Sequence, residues 1–85
     1  MDKKHKIAIK FFSHLKDKAG VSTIAMEIAP QTTIADLKQQ VVDLYPALET
    51  HLRNILILID NRIAIDEDII PDGCTVSFMT PIGGG

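Results

Sequence analysis

The stretch Thr33-Ile34-Ala35-Asp36-Leu37-Lys38-Gln39-Gln40-Val41-Val42-Asp43-Leu44-Tyr45-Pro46 decides the fold. Ile34, Leu37, Val41 and Leu44 recur at helical spacing and make one apolar stripe, while Lys38, Gln39, Gln40 and Asp43 face away. Thr33 and Asp36 stand three residues apart in a capping-box arrangement, with the shorter Asp in place of Glu, so the helix should open at Thr33. Pro46 ends it or starts a short second helix over residues 47–52. One long helix with one apolar stripe has to be covered by a layer that the rest of the chain supplies.

That layer reads as strands. In residues 6–12, Ile7, Ile9 and Phe11 share one face, and Ala8, Lys10 and Phe12 share the other. Lys10 marks the second face as wet or interfacial, which leaves Phe12 on the exposed side. Residues 13–20 are polar and end in Gly20, so they read as a loop or irregular turn. Residues 22–28, with Ile24, Met26 and Ile28 in register, return as the second arm of an antiparallel hairpin. Pro30 stops that strand. Beyond the helix, residues 55–59 are continuously apolar and read as a central strand covered on both faces. Asp60-Asn61 and Pro71-Asp72-Gly73 are turns, residues 63–65 a short strand, and Thr75-Val76-Ser77-Phe78-Met79 the last strand. There, Val76 and Phe78 alternate against Ser77 and Met79. The expected fold class is α+β, a mixed sheet of four to five strands with one main helix on one face.

Eighty-five residues leave room for one domain, here residues 1–79, followed by a flexible tail at residues 80–85. A net charge of −2 with dispersed basic residues points away from nucleic acid. The one basic run, Lys3-Lys4-His5-Lys6, reads as a solubilising start to the first strand. The single cysteine, Cys74, leaves no intrachain disulfide and no multi-cysteine zinc or iron–sulfur site. No apolar segment approaches the roughly 20 residues of a membrane span, and no signal-peptide pattern opens the chain, so no membrane role and a cytoplasmic location are expected.

Side-chain chemistry is sparse. His5, His14 and His51 are dispersed with no metal spacing, and no metal site is expected. Asp66, Glu67, Asp68 and Asp72 lack the alternation of a calcium loop and read as a solvated turn. Cys74, with no basic neighbour to lower its pKa, reads as a small, partly buried residue. What remains is Gly83-Gly84-Gly85. Six residues from Thr80 span about 20 Å when extended, and glycines let such a tail pass a channel too narrow for other residues. Its chemistry would lie in the α-carboxylate.

Ile9-Lys10-Phe11-Phe12 with Gly20, Tyr45-Pro46-Ala47-Leu48, Asp72-Gly73-Cys74-Thr75-Val76 and Pro81-Ile82-Gly83-Gly84-Gly85 together resemble the small subunit of molybdopterin synthase, a ubiquitin-like sulfur-carrier family with a β-grasp fold. The chain departs from that pattern at Gly83, at Thr80-Pro81, at Asp60-Asn61 and at Cys74. The resemblance implies that Gly85 is adenylated by a ubiquitin-activating-like adenylyltransferase using ATP. It implies that a desulfurase-type donor then converts the adenylate to a thiocarboxylate, which gives its sulfur to a pterin precursor in the large subunit. Gly83 and Gly84 belong to the threading tail, and no cofactor is bound by the carrier. Phe12, Ile63 and Met79 are implied as the residues that dock the large subunit in a heterotetramer. The same resemblance leaves open a carrier for thiamine or cysteine synthesis, a protein modifier forming isopeptide bonds, and an interaction module with an inert tail.

Overall fold

The capping box forms as the spacing requires. The Thr33 hydroxyl accepts the Asp36 backbone N–H at 3.2 Å, and the Asp36 carboxylate accepts the Thr33 N–H at 3.2 Å, satisfying two donors that a helix start leaves without intrahelical partners. In the computed structural model, which describes residues 3–80, this cap opens the main helix over Ile34–Leu44 and buries Ile34, Leu37 and Val41. Leu44 breaks the expected stripe and is 56% exposed. The helix ends there, and Tyr45 turns the chain out of helical geometry at φ −132°, ψ 77°. The second helix expected over residues 47–52 is instead two separate 3₁₀ turns, Pro46–Leu48 and His51–Arg53, pinned by buried Leu48 and Leu52.

Five strands form the layer that the helix covers: β1 (His5–Phe11), β2 (Thr23–Ile28), β3 (Leu56–Ile59), β4 (Arg62–Ile63) and β5 (Thr75–Met79). Their order across the sheet is β2-β1-β5-β3-β4. β1 and β2 pair antiparallel, as a hairpin should, with Ile9 opposite Ile24 and Ile7 opposite Met26. The last strand, β5, occupies the centre. It runs parallel to β1 (Ile9 opposite Val76, Phe11 opposite Phe78) and antiparallel to β3. Because side chains alternate along each strand, one face gathers Ile7, Ile9, Phe11, Val76, Phe78, Ile57 and Ile59, all buried beneath the main helix.

Three further expectations are corrected. Residues 13–20 are not an irregular loop: His14–Ala19 form a six-residue helix ending at Gly20, whose φ of 80° is the left-handed conformation that glycine favours. Leu15, fully buried, ties that helix to the core. The strand at residues 55–59 is not covered on both faces, because Ile57 and Ile59 are buried while Leu56 and Leu58 are only half-buried. The short strand expected at residues 63–65 pairs only over Arg62–Ile63, opposite Ile59 and Leu58.

Phe11 joins the layers. Its ring meets Phe78 edge-on at 5.7 Å and Tyr45 edge-on at 5.9 Å, the geometry in which ring quadrupoles attract. Cys74 is buried at the start of β5. Burial, and then the nearby Asp60 carboxylate, push its thiol above the ordinary cysteine range, the opposite of what a nucleophilic cysteine requires. No helix among the described residues is long and apolar enough to cross a membrane.

Candidate functional site: the uncovered sheet face and the tail root

One residue along each strand from the core positions, the sheet turns its other face outward. Register places Thr23, Lys10, Ser77, Leu58 and Ile63 in one row across all five strands. The next row towards the C-terminal end of β5 is Met79 opposite Leu56, with Phe12 continuing the alternation of β1 beside Met79. The Phe12 N–H donates to the Phe78 carbonyl at 3.1 Å, so the pairing of β1 with β5 extends to Phe12. Phe12, Met79, Leu56 and Leu58 are half-buried, and Ile63 is 69% exposed. Among the described residues no element packs over these positions, and they form an apolar stripe from Phe12 to Ile63, flanked by Lys10.

The fold thus brings Phe12, Ile63 and Met79 to one face. Alternation accounts for Phe12 and Met79. Leu56 and Leu58 also belong to the stripe, but sequence reading did not assign them, because an unbroken apolar run carries no mark of which side faces the core. The one available signal was the antiparallel register that Asp60-Asn61 imposes, which sets Leu58 opposite Ile63.

Backbone strain accompanies Phe12. Ser13 follows at φ 54°, ψ −128°, and the Leu15 N–H donates to the Phe12 carbonyl at 3.1 Å. This is a type II′ turn with serine in the position that normally takes glycine. The turn sends Phe12 to the outer face and Leu15 into the core. Phe12 and Ser13, with Lys10, Lys16, Ser22 and Thr23, line a shallow basic cleft.

β5 ends at Met79 in the middle of the sheet, and half-buried Thr80 follows it. The described chain therefore ends between the strands carrying Phe12 and Leu56. Gly83, Gly84 and Gly85 lie outside the described residues. Among the described residues no group of histidine, cysteine or carboxylate side chains is arranged to hold a metal ion.

A central terminal strand between a hairpin and a β3–β4 pair, with one helix across the sheet, defines a ubiquitin-like β-grasp protein. Residues 9–85 match the ThiS family, and the chain belongs to that family of ubiquitin-like sulfur carriers. Small archaeal modifier protein 1 of Haloferax volcanii superposes with a TM-score of 0.85 at 21% identity, covering 92% of this chain and 99% of that one. A putative molybdopterin converting factor subunit 1 from Pyrococcus furiosus gives 0.84 at 17% identity, with the same coverage of 92% and 99%. A chain from the complex of subunits 1 and 2 of molybdopterin-converting factor from Helicobacter pylori gives 0.68 at 16% identity, covering 94% and 99%. At these identities the structural likeness speaks to the fold.

Proposed function

We propose that this chain is the sulfur-donating small subunit of a cytoplasmic molybdopterin synthase, with the Gly85 α-carboxylate as its reactive group. The observation that supports the carrier role is the extent of the family match, which runs from the first strand through Gly83-Gly84-Gly85; the molybdopterin branch rests on the sequence resemblance, the Tyr45-Pro46 segment above all. In this reading Gly85 is the mature carboxyl terminus. A partner adenylyltransferase joins its carboxylate to the AMP portion of ATP and releases pyrophosphate. The outer sulfur of a donor persulfide displaces AMP to give an acyl disulfide, and a second donor thiol cleaves this to leave the thiocarboxylate and a donor disulfide. The sulfur then attacks a pterin precursor held by the large subunit. Catalytic groups and ATP belong to the partners; the carrier binds no cofactor or metal.

The uncovered face supports the docking half of the proposal. Phe12 and Met79 flank the point where the tail root leaves the sheet, so a large subunit seated on the apolar stripe would meet the tail at its base. The H. pylori structure is a complex of subunits 1 and 2 of molybdopterin-converting factor, which supports a large-subunit partner; the heterotetramer is part of the proposal. The small-archaeal-modifier likeness favours a second reading, in which a target lysine nitrogen attacks the activated Gly85 carbonyl to give an isopeptide bond. Activation would be common to both, and only the acceptor differs.

Intact mass after incubation with the host's adenylating enzyme, ATP and a sulfur donor tests the proposal. Replacement of one oxygen by sulfur, abolished by deletion of Gly85, is the expected result. An unchanged mass with an enzyme active on another carrier would overturn it. Covalent adducts on other proteins that disappear with the same deletion would favour the modifier reading.

A further inference from the structure

The two edges of the sheet are guarded differently. β4 closes one side and is only two residues long, with Arg62 in it. β2 closes the other and runs for six residues, Thr23–Ile28, in unbroken register with β1. Short length, proline, lysine and bulges normally keep an edge strand from pairing with another chain. β2 has none of these, and its one charged residue, Glu27, lies opposite Lys6.

The hydrogen bonds of β1 fix which groups of β2 are left over. The Phe11 N–H donates to the Ser22 carbonyl at 2.8 Å, whereas the Ala8 and Phe12 N–H groups donate to Cys74 and Phe78 on the β5 side, each at 3.1 Å. Odd-numbered residues of β1 therefore bond β2, through Ile24, Met26 and Ile28. The N–H and carbonyl groups of Thr23, Ala25 and Glu27 point away from the sheet, and among the described residues no group hydrogen-bonds to them. Side chains sort the same way. Thr23, Ala25 and Glu27 lie on the outer face, opposite Lys10, Ala8 and Lys6. Ile24 and Met26 lie on the helix side, where they are only half-buried.

We infer that β2 is a self-association edge, pairing antiparallel with β2 of a second copy about a two-fold axis at Ala25. Among the symmetric registers, only this one gives every leftover group a partner: Ala25 meets its own copy, and Thr23 meets Glu27 on both sides of the axis. Moving the axis one residue either way leaves Thr23 or Glu27 without a partner in the strand. Placing it on Glu27 sets two carboxylates face to face. The side chains agree with the Ala25 register. On the helix side Ile24 lies opposite Met26 of the second copy, so the apolar row from Ile9 to Ile24 continues into that copy. On the outer face the Glu27 carboxylate meets the Thr23 hydroxyl, and only alanines meet at the axis. An edge complementary to itself in hydrogen bonding, apolar row and charge favours a second copy over a foreign strand. Pairing in the plane of the sheet leaves each apolar stripe and tail root uncovered, so the dimer is compatible with the docking proposed above and does not depend on it. A contact one strand wide falls below the roughly 1,200 Å² of a stable interface, so the dimer forms reversibly and at high concentration.

Sedimentation equilibrium of the full chain, from micromolar to millimolar concentration, should show reversible dimerisation. The amide protons of Thr23, Ala25 and Glu27 should exchange more slowly as concentration rises. Ala25→Pro removes an outward N–H without touching the bonds to β1, and should weaken the dimer at least about tenfold with little change in melting temperature. Ala25→Lys and Ala25→Glu should each be monomeric alone, and their equimolar mixture should dimerise more tightly than either, because the axis sets position 25 opposite itself. A wild-type chain that stays monomeric at millimolar concentration overturns the proposal. So does a dimer that these variants leave unchanged, a mixture no tighter than its components, or a dimer lost instead in Phe12→Asp, which would place the contact on the stripe.

Discussion

On the face beneath the main helix, Ile9, Phe11, Val76, Phe78, Ile57 and Ile59 are buried. One residue along the same strands, Lys10, Phe12, Ser77, Met79 and Leu58 form a face that mixes polar groups with half-buried apolar ones. Both faces are apolar enough to attract a cover, and only one has it among the described residues. The difference separates two uses of hydrophobic surface: the covered face supplies folding free energy, and the uncovered one is available for association.

The largest test of that division is Phe78→Ala against Met79→Ala, adjacent residues on opposite faces. The first should cost about 3–5 kcal/mol, close to the whole stability of a small domain. The second should cost under about 1 kcal/mol. Urea unfolding of both variants checks this, and comparable losses would erase the distinction between the faces.

Phe12→Asp probes the association side. It should weaken large-subunit binding by about 2 kcal/mol or more and change folding stability by less than about 1 kcal/mol. Calorimetric titration beside a thermal melt separates the two, and a variant that binds normally removes the stripe from the docking surface. Thr33→Ala, on the covered side, should cost about 1 kcal/mol through loss of the cap and leave docking of the folded protein alone.

Ser13→Gly works at the boundary between the faces. Relieving a serine at φ 54° should stabilise the domain by up to about 1 kcal/mol, seen as a raised urea midpoint. A lowered midpoint would show that the serine side chain earns its strain by a contact of its own.

Cys74 gives the smallest effect. Burial and Asp60 raise its folded pKa, so as pH rises the unfolded chain releases the thiol proton first. The Cys74 contribution is therefore level below the ordinary cysteine pKa of about 8.5 and declines above it. Wild type should lose more stability than Cys74→Ala as the buffer is taken from neutral into that alkaline range. Parallel pH profiles would show that the thiol titrates alike in both states.

Much of this was legible in the residues. The Thr33–Asp36 cap, the Ile34-Leu37-Val41 stripe and the alternation of β1 and β5 are local patterns, and local chemistry enforces them. His14–Ala19 was hidden because a six-residue helix with Leu15 as its buried anchor has too few apolar positions to show a period. Leu56 and Leu58 were misassigned for a different reason. Ile55-Leu56-Ile57-Leu58-Ile59 has no internal contrast, and only pairing with β4 and β5 decides its inward side. For the site, alternation alone raised Phe12 and Met79, whereas Ile63 depended on the family resemblance.

The central place of β5 has a consequence for biosynthesis. β1 and β3 have no partner between them until residues 75–79 have been made, so a nascent chain shorter than this holds a hairpin and a helix without the strand that joins them. Pairing of the first and last strands closes a loop of most of the chain, a non-local event of the kind that slows folding. A chain interrupted before Thr75 would expose the apolar residues meant for both faces and be open to proteolysis. A closed sheet thus requires that synthesis has already reached the root of the tail.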